Sequence, residues 1–600
     1  MPIPADDSVR YARAVERRQR LLPFLTDFDH IGAAPSGAQS ETVNLGGGIK
    51  LFRIPEGAAE ISWGSYCLND DSERFRIPDD ATIIVDSGNP VFRDVDGVLF
   101  EGTELLKFPP KKDLNRYTIP DFVTEIGDSA FEGCELLAEV DIPDSVSNIG
   151  SEAFSGCSSL TSVRIPKSVT EIGFGAFWYC GSLTSVEIPD SVTAIYSLAF
   201  ENCESLTSIV IPKSVTEIGS RVFTGCRSLA DIKVEPGNPV FRDIDGVLFE
   251  GTKLRAMPAG KTPKTYAVPD FVTKIGDHAF AVCESLVSIE ITNTVTKIEE
   301  AAFLYCESLA SVVVPDSVTK IGKSAFANCE SLTSFKIPGS VTKIGNETFF
   351  GCLALTEIEI PDSVTEIGAW AFRDCVSLAS VRIPKSVAEI NPWAFLNCVS
   401  LAEIKVDPDN PVFRDIDGVL YEGTKLRSFP AGNDQTQYTV PDFVTELGDG
   451  AFWGCHSLVS IEIPETVSKI GGGAFYGCVS LVSVNIPETV SKIEDWTFED
   501  CQALASVKIP GSVTAIGMEA FKGCKSLVSI EIPDSVTEIG TAVFEDCESL
   551  AWIEIPDSVE RIGHFVFRGC VSLETVIIPK ELELEPNIFD DGAQVQILRR

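Results

Sequence analysis

Apolar residues return along most of this chain with a period of 23 residues. In the stretch from Cys524 to Asp546, CKSLVSIEIPDSVTEIGTAVFED, they fall at Cys524, Leu527, Ile530, Ile532, Val536, Ile539 and Phe544, with small Ala542 nearby. Cys547 opens the next copy. The Leu-x-x-Ile-x-Ile core ends in alternation, the pattern of a short strand with one buried face. Pro533 follows at once and, having no backbone N–H, stops the strand. Val536-x-x-Ile539-Gly540 reads as a second extended or turn-like arc, and the Ala/Val-Phe-x-x-Cys segment turns the chain back. One such unit cannot bury its own apolar face, whereas stacked units share a continuous core. The pattern predicts a repeat solenoid with a parallel β-sheet on the inner face and irregular or short helical segments outside.

Taken in order, residues 1–30 predict a helical arm, with Val9, Ala12, Val15 and Leu22 near one face and Asp6, Asp7 or Ser8 as cap. Residues 31–49 are small, polar and glycine-rich and read as a linker. Residues 50–88 hold a degraded repeat, expected of an N-terminal cap that meets water. The array runs over 89–577, and 578–600 decays from Ile578-Pro579 into a C-terminal cap. Three inserts punctuate the array at 89–110, 238–260 and 410–432, each opening NPVFRD and continuing through Asp-Gly. Asp-Gly between β-rich flanks predicts β-hairpins. The paired acids Asp243/Asp245 and Asp415/Asp417 look like the opening of a calcium loop, but the remaining ligand positions do not follow.

The C-x-S-L-x-S-I-x-I-P-x-S-V-T-x-I-G-x-x-A-F-x-x cycle and the N-P-x-F-x-x-x-D-G-V-L-[FY] insert together resemble the BspA-type leucine-rich repeat family, over residues 50 to about 590. The resemblance implies a leucine-rich-repeat, horseshoe-like superhelix with one parallel strand per turn. It also implies a non-catalytic protein-binding scaffold. Members are often surface-exposed or secreted proteins of bacteria and parasitic protists, associated with adhesion to host proteins or other cells. The first 28 residues hold no uninterrupted apolar stretch of the kind a secretory signal needs. Two locations therefore stay open: the cell surface or medium, for an adhesion protein, and the cytoplasm, for an interaction scaffold or delivered effector.

Composition narrows the partners. A net charge of −40 argues against nucleic acid and anionic membrane surfaces, and no apolar run reaches membrane-spanning length. Seventeen of the eighteen cysteines fall in three runs at 23-residue spacing: Cys134–Cys226, Cys283–Cys398 and Cys455–Cys570. Stacked in register about 4.8 Å apart and facing the same way, such side chains lack the opposed geometry of a disulfide. They predict a column of buried free thiols. No Cys-x-x-Cys occurs and the four histidines are scattered, so no metal and no cofactor is expected.

Between the apolar strand positions lie two exposed rows. One mixes charges, among them Asp141, Arg164, Glu187 and Lys233; the other is mostly serine, broken by Glu139, Asp231, Glu357, Glu403 and Trp552. Serine with no histidine partner is no nucleophile. Neighbouring opposite charges most simply stabilise the stack. The candidate protein-contact residues are aromatic: Trp178, Tyr179, Trp370, Trp393, Trp453, Tyr476 and Trp496 beside the Ala-Phe positions, and Trp552 in the serine row. Exposed aromatics anchor protein partners and also suit the faces of carbohydrate rings. Packing onto the next turn is the competing account of the same residues.

Overall fold

The computed structural model describes residues 41–44, 50–54, 81–261, 263–584, 587–589 and 595–599. The expected helical arm and Cys67 lie outside the described residues, as do most of the linker and parts of both caps. The chain forms a β-solenoid of about 21 turns. Its turns divide into two units, one of residues 1–262 with 276–283 and one of 263–275 with 284–600.

A turn consists of three runs. The first is a short strand such as Ser162–Arg164, in which Val163 is buried while Ser162 and Arg164 are exposed. It pairs in parallel with the residues 23 further on: Ser162 with Ser185, Val163 with Val186, Arg164 with Glu187. The second is the two-residue strand Glu171–Ile172, paired in the same way with Ala194–Ile195. The third carries Ala-Phe-x-x-Cys, and its amides also bond between turns: Phe131 N–H donates to the Ala153 carbonyl at 2.7 Å and Phe154 N–H to Ala176 at 2.8 Å.

Of the irregular or short helical outer segments expected from the sequence, the irregular form is the one adopted; none of the described residues is helical. The reason is conformational. Two residues of each outer run sit at positive φ, as do Glu152 (φ 55) and Gly156 (φ 71). A left-handed residue breaks a right-handed helix, and the amides that a helix would bond internally are used by the next turn. A difference lies in the stretch read as linker. Residues Glu41–Asn44 form a strand antiparallel to Lys50–Ile54, which runs parallel to Ala81–Val85. Their Glu-Thr-Val-Asn sequence is compatible with the open edge that Lys50–Ile54 would otherwise present.

In-register stacking puts identical side chains on one another. Phe131, Phe154, Phe177 and Phe200 stack at centroid distances of 4.8, 5.3 and 5.4 Å, each pair adding about 0.5–1.5 kcal/mol beyond its buried area. Beside this column the seventeen ladder cysteines are free and buried. Cys157, Cys180 and Cys203 donate their Sγ–H to the carbonyls of Phe131, Phe154 and Phe177 at 3.1, 3.1 and 3.2 Å. Burial pushes the thiols of Cys226, Cys283, Cys352 and Cys398 up to about 12.

The inserts are three-stranded antiparallel meanders, for example Phe241–Ile244, Val247–Glu250 and Lys253–Ala256. Asp245 (φ 50) and Gly246 (φ 76) form the first turn, both left-handed as a tight type I′ turn demands. The first acid of each Asp-x-Asp pair is already committed. Asp94, Asp243 and Asp415 accept the N–H of Val85, Val234 and Val406 at 2.7–2.8 Å.

The inserts also interrupt the second ladder, and the carbonyls left at the break need donors. In the array the Ile195 carbonyl accepts from the Gly219 amide at 2.8 Å, and Ile367 from Asn391 at 2.9 Å. One turn later no such amide follows. The insert supplies an arginine instead: Arg255 Nη2 donates to Ile218 at 2.8 Å, and Arg427 Nη2 to Ile390 at 2.5 Å. The opening asparagines act in parallel, Asn238 Nδ2 donating to Val215 at 2.8 Å and Asn410 Nδ2 to Val387 at 2.9 Å. Just after the third strand, Phe108 stacks on Phe131 and Phe429 on Phe452, each at 5.2 Å, and Met257 is buried at the equivalent place in the second insert.

Two outcomes are expected. Native protein should hide the seventeen ladder thiols from a water-soluble thiol reagent, and denatured, unreduced protein should yield them all; a shortfall in the second measurement would mean disulfides. Arg427→Leu leaves the Ile390 carbonyl unpaired and should lower stability by about 1–3 kcal/mol, read as a lower urea midpoint for the transition of the second unit.

Candidate functional site

The open face of the first ladder is a regular array of exposed side chains, and much of its charge is satisfied locally. Arg116 meets Glu139 and Asp141, each at 3.0 Å. Lys336 meets Glu359 at 3.7 Å, and Arg382 meets Asp407 at 3.0 Å. The Arg116 guanidinium and the Thr118 hydroxyl bond to Asp141 and hold its carboxyl below the usual range. These pairs are exposed, so each contributes at most about 1 kcal/mol. On this face the paired charges brace adjacent turns, while carboxylates such as Glu187 and Glu290 stand exposed.

The eight sequence-derived contact residues fall into two groups. Six are half-buried, and four of them, Trp370, Trp393, Trp453 and Tyr476, pack on a neighbouring turn. Trp453 stacks on Tyr476 with centroids 3.9 Å apart, and its ring covers Gly473, where a Cβ would lie 2.9 Å away. Trp370 stacks on Trp393 at 6.0 Å, and Trp393 in turn covers Gly450. Trp178 lies against Tyr179, with its Nε1 buried and unpartnered. Trp496 is half-buried at a left-handed position, φ 58. The other two project into solvent: Tyr179 is 53% exposed and Trp552 50%. Trp552 stands on the strand face opposite Thr575, away from the outer run that carries the other seven.

The position before each ladder cysteine is left-handed in all seventeen copies. Gly, Asn or Asp occupies it except at Tyr179, Val282 and Tyr305. Those three types tolerate positive φ; a bulky side chain there costs roughly 1–2 kcal/mol. Tyr305, 46% exposed, is thus the counterpart of Tyr179 in its own unit, and sequence reasoning passed over it. The signal was available, since Tyr305 precedes Cys306 as Tyr179 precedes Cys180.

A second outer column is ionisable. Glu499, Lys522, Glu545 and Arg568 occupy one register on successive turns, next after Trp453 and Tyr476. Lys522 meets Glu519 and Glu545, each at 3.2 Å, and Arg568 also pairs with Glu545. Burial, reinforced by Glu519 and Asp500 against the pull of Lys522, raises Glu499 to about 7. A carboxyl titrating near neutrality suits acid–base chemistry, yet among the described residues Glu499 lines neither of the two best-formed notches. The larger of the two best-formed notches, lined by Trp393, Arg427 and Trp453 among others, holds about 40 Å³, against 300 Å³ or more for a small-molecule site. Among the described residues no cluster of three metal-ligating side chains occurs.

Comparison with known proteins agrees with this architecture. The family model described as BspA type leucine rich repeat region (6 copies) matches residues 108–230, 259–354, 319–437, 427–551 and 514–597. No curated protein matches the chain. Among solved structures, the chain is similar to a leucine rich cell surface protein from Faecalibacterium prausnitzii, at 24% identity over 82% of this chain and 96% of that one, with a TM-score of 0.38. It is similar to a leucine-rich repeat protein from Bacteroides ovatus, at 26% identity, 85% and 98% coverage and a TM-score of 0.26. It is also similar to the pneumococcal vaccine antigen PcpA, at 20% identity, 72% and 98% coverage and a TM-score of 0.40.

Glu499 sets a pH expectation. Its folded value, about 7, lies above the ordinary 4.5, so the folded state holds the proton more tightly than the unfolded one. The stabilisation is fully present below about pH 4.5 and is lost as pH rises through about 7. Glu499→Gln should flatten the stability profile across that window and unfold at higher urea than the parent at pH 8. An unchanged profile would place the titration elsewhere.

Proposed function

This chain belongs to the BspA-type leucine-rich repeat family, and we propose that it is a non-catalytic scaffold that binds protein partners, in adhesion to host proteins or neighbouring cells. The observation that carries the reading is Tyr179. It is large, exposed and held at a left-handed position that glycine, asparagine or aspartate fills in most other turns. The fold gains little from a bulky residue there, so its presence fits a contact made outside the chain. Tyr305 and Trp552 present comparable rings to solvent. Repetition adds to this: weak contacts along a stack bind as one tether once the first is made.

A second reading, an intracellular scaffold or delivered effector, draws on the thiol ladder. Seventeen unpaired cysteines suit a reducing compartment.

Protease shaving of intact native cells separates the two readings. Loss of the chain from unbroken cells, or its presence in the medium, is expected for the adhesion protein; full protection until lysis would overturn adhesion. The contact residues have their own test. The Tyr179→Gly/Tyr305→Gly protein should keep or raise its melting temperature while binding fewer cells than the parent. Unchanged cell binding would remove the two tyrosines from the contact surface.

A further inference from the structure

The second ladder of the second unit carries a like-charged column. Lys274 stands directly across from Lys297, and Lys297 from Lys320, in adjacent parallel strands. Lys343 holds the same position one turn on, and all four side chains are exposed. At about 4.8 Å per strand the column spans about 14 Å. Each ammonium therefore lies well within the ~8 Å screening length of the next, and their potentials add.

Like charges placed directly opposite one another destabilise a sheet; elsewhere in this ladder they occur as isolated pairs, Glu104 across from Glu125 and Glu366 across from Glu389, not as an unbroken lysine run. The same position reads Glu125, Asn148, Glu171, Ala194 and Glu217 earlier in the chain. Further on, Lys469 shares Glu446 with Lys425, and Arg561 meets Glu538. Among the described residues Lys274, Lys297 and Lys320 have no carboxylate within ion-pair distance; Lys343 pairs with Glu366, where the column ends. The run is the more unusual in a chain of net charge −40.

Beside the lysines runs a row of threonines. Thr296 Oγ1 donates to the Thr273 carbonyl at 3.1 Å and Thr319 Oγ1 to the Thr296 carbonyl at 3.3 Å. With their protons directed at the backbone, these oxygens face solvent as acceptors. The strip is thus one lysine wide, regularly spaced, and flanked by acceptors for hydroxyl donors. Its Thr-Lys-Ile arcs contain no aromatic ring on which a nucleobase could stack.

We propose that this lysine column binds a linear sulfated polysaccharide, laid along the stack with its anionic groups on successive lysines and its hydroxyls on the threonine row. The surface is separate from the tyrosines of the protein-contact reading, and neither depends on the other. Heparin serves as the probe, with the full chain at low salt, against desulfated heparin, single-stranded DNA and polyglutamate. Parent protein should bind heparin. The Lys297→Glu/Lys320→Glu protein should bind it roughly tenfold more weakly or worse while its melting temperature holds or rises, because each new carboxylate faces Lys274 or Lys343. A Lys385→Glu/Lys508→Glu protein, with the same change in net charge, should stay within roughly twofold of the parent. Absence of heparin binding, an equal loss in the control, or equally tight binding of desulfated heparin, DNA or polyglutamate would overturn the proposal.

Discussion

Parallel pairing in strict register, residue n on residue n + 23, is the constraint from which the rest of this molecule follows. It places like upon like at one strand spacing, about 4.8 Å. For flat apolar rings this is favourable, and the Phe131–Phe200 column is the result. For small thiols it is favourable too, since each Sγ–H finds a carbonyl of the preceding turn. The same register rules out disulfides within the column, because neighbouring sulfurs point the same way. It also multiplies any charge that recurs at one position; the two exposed rows of the first ladder mix sign or carry serine, whereas the second ladder holds the lysine run.

A ladder of this kind has no natural end. Wherever an insert intervenes, carbonyls that would accept from the next turn are left over. The inserts answer with side chains matched to the vacancy: an arginine for the second ladder, an asparagine for the turn after the proline, an aspartate for the amide at the strand end. The first insert places Leu106 where the others have arginine, packed against the Ile54, Ile83, Phe92 and Leu99 cluster. The difference is one of neighbours: that insert follows a cap, whereas the others close a run of full turns.

Because the backbone between turns is satisfied almost everywhere, specificity is left to side chains that the stack tolerates without needing. Tyr179 and Tyr305 occupy left-handed positions at a cost, and Lys274 to Lys320 stand opposite one another at a cost. Trp370, Trp393, Trp453 and Tyr476 resemble them in composition, but they repair the gaps above glycines and pack against their neighbours. The useful distinction is therefore between aromatics that the fold employs and aromatics that it merely accommodates.

How much of this was legible in the sequence depends on range. The 23-residue period, strands ended by a proline as Pro212 ends Ser208–Ile211, the Asp-Gly turns and the unbridged cysteines were all readable, because each rests on local chemistry repeated in register; before Pro533 itself only a single bridge, Lys508 to Glu531, forms. The left-handed column before the cysteines was visible too, as a run of Gly, Asn and Asp. The second one, through Ser129, Glu152 and Leu198, was not, since its residue types are mixed; hence the outer run stayed open between irregular and short helical forms until the fold decided it. Only tertiary structure decided which rings reach solvent, because Trp453 is covered or bare according to what Gly473 leaves open a turn away. It alone directed Arg427 to a carbonyl 37 residues back and gave Glu499 its altered proton affinity. The sequence by itself determined what is stacked, since every turn repeats it; the vacancies and crowding between different turns were settled only by the fold.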